Sequence, residues 1–118
     1  MAESFESLNV VKAVLIMHVL RQQIEADLQR LKSAPLYLAH GLTERLQAIH
    51  GELLNRIAEH KRQLRRHSVR ILEQTKNRLD FQIAYLERGY RVQHCFLLAT
   101  LQAEAQLLFK SLLEGGTA

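Results

Sequence analysis

TERLQAIHGELLNRIAEHKRQLRRHSVRILEQTKNRLDFQIAYLER, residues 43–88, is the run on which the fold turns. It contains no proline and a single glycine, Gly51. Leu46, Ile49, Leu53, Ile57, Leu64, Ile71, Leu79 and Leu86 recur at spacings of three, four, seven and eight residues. At about 100° per residue these positions stay on one helical face and drift slowly, as a 3.5-residue repeat does in a left-handed supercoil. His60, Ser68 and Thr75 keep the phase of the stripe without its hydrophobicity. The spacing predicts one central helix over about 43–88, roughly 69 Å long at 1.5 Å per residue. A break near Ser68 is the alternative, and it would turn the same chain into a monomeric four-helix up-down bundle.

The flanks read as two further helices. Upstream, Val10, Val14, Met17, Ile24, Leu28 and Leu31 form a heptad seam interrupted at Arg21, with Leu8, Val11, Leu15 and Val19 beside it. That wide apolar face suits a helix with two neighbours. This helix is expected over about 5–32, capped by Ser4 or Ser7 and stopped by Ser33-Ala34-Pro35. Residues 33–42 form the connection; its Leu36, Tyr37 and Leu38 are expected to lie over the end of the core, and Thr43 to cap the central helix. Downstream, Gly89 is a break, and Leu97, Leu98, Leu101, Ala105, Leu108 and Leu112 predict a third helix over about 90–113, stopped by Gly115-Gly116.

No strand-like alternation is read in the chain. The expected architecture is therefore all-α: one domain over 1–118, an elongated bundle of three long helices with coiled-coil-like packing. Each outer helix folds back on half of the central one, and a homodimer completes a four-helix core.

Composition narrows the function. With 118 residues, 47% hydrophobic and 24% charged, the chain has the balance of a globular domain and not of a disordered one. The only cysteine, Cys95, allows no internal disulfide, and a cytoplasmic protein is expected. The start, Met-Ala-Glu-Ser-Phe-Glu, is acidic where a leader is basic, and the apolar run Val10–Leu20 is too short to span a bilayer.

The charge is concentrated. Between His60 and Arg78, Lys61, Arg62, Arg65, Arg66, Arg70, Lys76 and Arg78 stand against Glu73 alone, a surplus larger than the whole chain's net +4. On a continuous helix Lys61, Arg62, Arg65, Arg66, Arg70 and Lys76 share the face away from the apolar stripe. Arginine's planar fork pairs with carboxylate or phosphate in two-point contacts, so the band suits an acidic protein surface or a nucleic-acid backbone. No aromatic residue interleaves it for base stacking, and no DNA-binding motif accompanies it. Membrane binding is not expected, because the apolar face is committed to the core.

No catalytic constellation is legible. There is no phosphate-binding glycine loop, nucleophile elbow, His-Glu-x-x-His or paired carboxylates. No metal site, cofactor or small-molecule substrate is expected, and Cys95 reads as a small core residue. His50, His60 and His67 lie on or beside the stripe. In a dimer they would dilute the seam and make association sensitive to pH, while the plainer reading is boundary residues with local hydrogen bonds. The expectation is a non-enzymatic protein-interaction or regulatory adaptor with an arginine-rich face; the alternative is a nucleic-acid binder limited to phosphate contacts.

Overall fold

The computed structural model describes residues 6–115. Helix α1 spans Ser7–Leu31 and α2 spans Ala39–Arg66. Three strands follow, β1 (Val69–Lys76), β2 (Asp80–Glu87) and β3 (Tyr90–Leu97), and the chain ends in α3 (Leu98–Leu113). The strands form an antiparallel meander in the order β1-β2-β3.

The all-α expectation is therefore corrected. The 43–88 helix stops at Arg66, and its second half is two strands. The expected third helix over 90–113 begins only at Leu98, because Tyr90–Leu97 is β3. The break near Ser68 is present, but it leads into a sheet and not into a further helix, so the four-helix bundle is excluded as well. The physical reason lies in residues whose period is ambiguous. Phe81, Ile83 and Tyr85 alternate with period two, and Tyr90, Val92, His94 and Phe96 repeat the pattern. Ile71, Leu79 and Leu86, read as helical heptad positions, instead belong to β1, a turn and β2.

Local geometry enforces the switch. The backbone N–H of His67 closes the last turn of α2 against Gln63 and Leu64, and that of Ser68 bonds the Arg65 carbonyl at 3.1 Å. Ser68 then takes a left-handed conformation (φ 57), which ends the helix and aims the chain into β1. The Ser68 carbonyl accepts the Arg88 N–H at 3.0 Å, tying this corner to the second hairpin. That hairpin turns on Arg88-Gly89, both with positive φ (52 and 86), the two-residue loop whose twist matches paired strands. The first hairpin is held by Asn77, whose backbone N–H and side-chain amide donate to the Asp80 carbonyl (2.8 Å) and carboxylate (2.7 Å).

The register puts Val69, Ile71, Phe81, Ile83, Tyr85, Val92 and Phe96 on the face toward the helices. The opposite face carries Arg70, Thr75, Gln82, Arg91, Gln93 and Cys95, the half-solvated arrangement of an antiparallel sheet. A bulge at Leu72 shifts the register between Ile71 and Glu73. Helix α1 runs through the middle of the molecule: Val11, Val14, Leu15, Val19, Leu20 and Ile24 are buried. They meet Ile49, Leu53, Ile57 and Leu64 of α2, Leu101, Ala105 and Leu112 of α3, and the apolar face of the sheet. The wide apolar face read in α1 has the two neighbours expected of it, α2 and α3. The result is a two-layer α+β slab of 52 × 35 × 19 Å.

Smaller expectations also change. Ser7 is not a cap: it is buried, and its hydroxyl donates to the Glu87 carboxylate. Ser4 and Gly116 lie outside the described residues, while Gly115 (φ 110) follows α3 as expected. Thr43 lies inside α2, which starts at Ala39. Leu36, Tyr37 and Leu38 are exposed instead of covering the core, Tyr37 completely so. Cys95 is exposed on the sheet and not in the core.

Candidate functional site

The strand that replaces half of the expected helix divides the basic band. Lys61, Arg62, Arg65 and Arg66 occupy the last turns of α2, all exposed. Arg70 is the second residue of β1 and Lys76 its last, about 20 Å away at 3.3 Å per residue. Arg78 sits in the first hairpin turn. The six residues do not share one face.

Three of them meet in a groove. Lys61 and Arg65 of α2 and Arg70 of β1 line a cleft of about 430 Å³ between the end of the helix and the first strand. Leu64, Val69, Ile71 and Leu72 give it apolar walls, and Gln74 closes it. Among the described residues, no carboxylate lies within ion-pairing distance of Lys61, Arg65, Arg66 or Arg70, whereas Arg62 pairs with Glu59 and Arg56 with Glu52. Arg62, and more weakly Arg66, hold the Glu59 carboxyl below its usual range. Lys76 lines a different groove, with Val19, Gln22, Ala26 and Phe81.

Two basic residues absent from the predicted band belong near the cluster. Arg91 lies in register with Leu86 and Arg70 across the outer face of the sheet, and it reaches Glu73 at 3.6 Å. Arg88 is the turn residue bonded to Ser68. The signal that could have found them is the strand register itself, which aligns positions far apart in sequence.

The three stripe histidines are not brought together. His50 Nε2 lies 2.8 Å from the Glu25 carboxylate of α1, which Arg21 also holds at 3.1 Å. These contacts, His50's hydrogen bond foremost, keep the Glu25 carboxyl below its usual range. His60 Nδ1 contacts the Arg56 carbonyl within its own helix at 2.8 Å. His67 caps the end of α2 and is exposed. The histidine most altered by its surroundings is His18 on α1. Burial, then the nearby Lys61 and Arg21, push its pKa down, and its Nδ1 accepts the Arg21 Nε–H at 3.3 Å, a bond that requires the neutral ring. Its place inside the apolar Val10–Leu20 run was the available clue.

Chemistry elsewhere is sparse. Cys95 sits in a shallow polar depression of the outer sheet face with Thr75, Gln82 and Gln93. Partial shielding and the Asp80 carboxylate push its thiol pKa up, away from a nucleophilic thiolate. Among the described residues, no three His, Cys, Asp or Glu side chains are grouped to hold a metal ion. No helix among them is long and apolar enough to cross a membrane.

Fold and site together define a small two-layer α+β domain with a basic groove at the free edge of its sheet. The chain belongs to the YhjD protein family, whose model matches residues 2–117. No curated protein and no solved structure matches it.

Proposed function

We propose that this protein is a non-enzymatic binding adaptor that takes an acidic protein partner in the groove between α2 and β1. The observation that carries the reading is the groove's composition: Lys61, Arg65 and Arg70 converge on it above apolar walls, with no carboxylate among the described residues within ion-pairing distance of them. Cations left without intramolecular partners favour an external anion, and arginine favours a carboxylate met in two-point geometry. The apolar walls favour a polypeptide over a phosphate backbone, which would leave them uncovered, and none of the lining residues is aromatic.

The test compares polyglutamate with duplex DNA over a salt series, for the native chain and for Arg65→Glu/Arg70→Glu. Saturable polyglutamate binding that charge reversal abolishes is the expected result. Tighter binding of duplex, with affinity collapsing as salt rises, would replace the reading with the nucleic-acid alternative. Equal binding by both variants would remove the groove from the function.

The homodimer belongs to the same proposal, on a new footing. A paired rod of continuous 43–88 helices is not its basis, because α2 ends at Arg66. What supports it now is an apolar cleft of about 500 Å³ at the far end of the helices, where Leu36, Leu42, Leu46, Phe109 and Leu113 gather. Leu36, Leu42 and Leu113 are each more than two-fifths exposed there, a patch of the kind that marks an interface.

A further inference from the structure

The groove borders a strand edge. β1 pairs with β2 on one side, and among the described residues no strand lies on its other side. Among the described residues no backbone group pairs with that side, the condition under which an extended segment adds to a sheet. The same cleft is walled by α2 through Lys61, Leu64 and Arg65, and by β1 through Val69, Arg70, Ile71, Leu72 and Gln74. A segment lying along it would therefore meet open ladder positions, apolar side chains and unpaired cations at once.

We propose that β1 accepts an extended acidic segment of a partner protein as a fourth strand of the sheet, held by backbone pairing and by Lys61, Arg65 and Arg70. This rests on the acidic-partner reading above and adds the shape of the partner: extended, with glutamate or aspartate at alternate positions and apolar residues between them, the period that a strand imposes. A second copy of this chain does not fit the edge. Pairing β1 with another β1 would bring a second set of cations to the edge, while the one carboxylate of β1, Glu73, is already met by Arg91. The opposite edge of the sheet, β3, is the weaker candidate, because its Arg91 is already engaged by Glu73.

The experiment uses the full chain and three fluorescent ten-residue peptides with glutamate at alternate positions and valine or threonine between. One peptide is unmodified, and the other two carry N-methyl groups on the odd or the even backbone amides. N-methylation leaves charge and side chains intact but removes ladder donors along one edge. Strand addition predicts that the unmodified peptide binds and that one of the methylated pair is weaker by about tenfold or more, having lost several ladder bonds. It also predicts slowed amide exchange in residues 69–76 of the protein, and loss of binding to Arg65→Glu/Arg70→Glu. Equal affinity for all three peptides would overturn strand addition and leave the acidic-partner reading in place. Failure of every acidic peptide to bind, while the native chain binds duplex, would overturn both.

Discussion

Ser68 is the residue at which helix becomes sheet, and its backbone carries a measurable cost. A side chain at φ 57 is strained by about 1 kcal/mol, which glycine escapes at the expense of a more flexible unfolded chain. We expect Ser68→Gly to leave stability unchanged or raise it by up to about 1 kcal/mol, and Ser68→Val to lower it by roughly 1–2 kcal/mol, read by urea denaturation. A second residue-scale prediction concerns acid. The pKa of His18 is lowered from 6.5, so the unfolded chain takes up the proton first and stability falls as pH drops below about 6.5. The Glu25 carboxyl is lowered from 4.5, so its contribution persists above that value and is lost as pH falls through the folded-state pKa. His18→Gln should flatten the upper window of a stability-against-pH curve and leave the lower one, and Glu25→Gln should do the reverse. A single unchanged slope in both variants would contradict the assignment. His50, His60 and His67, the histidines that periodicity emphasised, sit in three separate settings.

At the scale of elements, α1, the stretch of α2 up to Arg66 and the part of the third helix from Leu98 onward were legible, and the sheet was not. The seam of Val14, Met17 and Ile24 is buried as its spacing implies, and so are Ile49, Leu53, Ile57 and Leu64 in α2. Beyond Leu64 the pattern misleads, because Leu64, Ile71, Leu79 and Leu86, seven or eight apart, keep a helical phase while the period-two alternation of Phe81, Ile83 and Tyr85 lies between them. The punctuation is Ser68, a polar residue in a left-handed conformation, and Arg88-Gly89, a hairpin turn without the usual asparagine or aspartate. The bulge at Leu72 also blurs the alternation in β1. The basic band was legible as composition, but its division into a groove around Arg70 and a distant Lys76 was not, because strand geometry spreads residues more than twice as far apart as a helix does. One contact between elements makes a further prediction. Arg45 of α2 donates to the Leu112 and Leu113 carbonyls at 3.2 and 2.6 Å, placing a cation at the negative end of α3. Arg45→Gln should destabilise the protein by about 1 kcal/mol, with the loss of amide-exchange protection concentrated in the last turn of α3.

The whole molecule is flat and open. Its Cα radius of gyration is 16.2 Å, against about 13.5 Å for a compact domain of this length, because a single layer of helices covers one face of a three-stranded sheet. Among the described residues, such a slab leaves both sheet edges without a pairing strand and one end of the helix layer exposed. The proposed division of labour gives the β1 edge to an acidic partner and the apolar end to a second copy. Light scattering should accordingly give a mass of two chains, and Leu42→Glu/Leu113→Glu should give one chain without changing affinity for polyglutamate. A dimer that survives those substitutions would place the interface elsewhere.

Amide chemical-shift mapping during titration of the native chain with polyglutamate tests the groove most directly. Binding at the proposed site predicts shifts concentrated in residues 61–74, at the end of α2 and along β1, with α3 and the Leu36–Leu46 end unmoved. Shifts spread evenly over every exposed lysine and arginine, or centred on the apolar end, would contradict it.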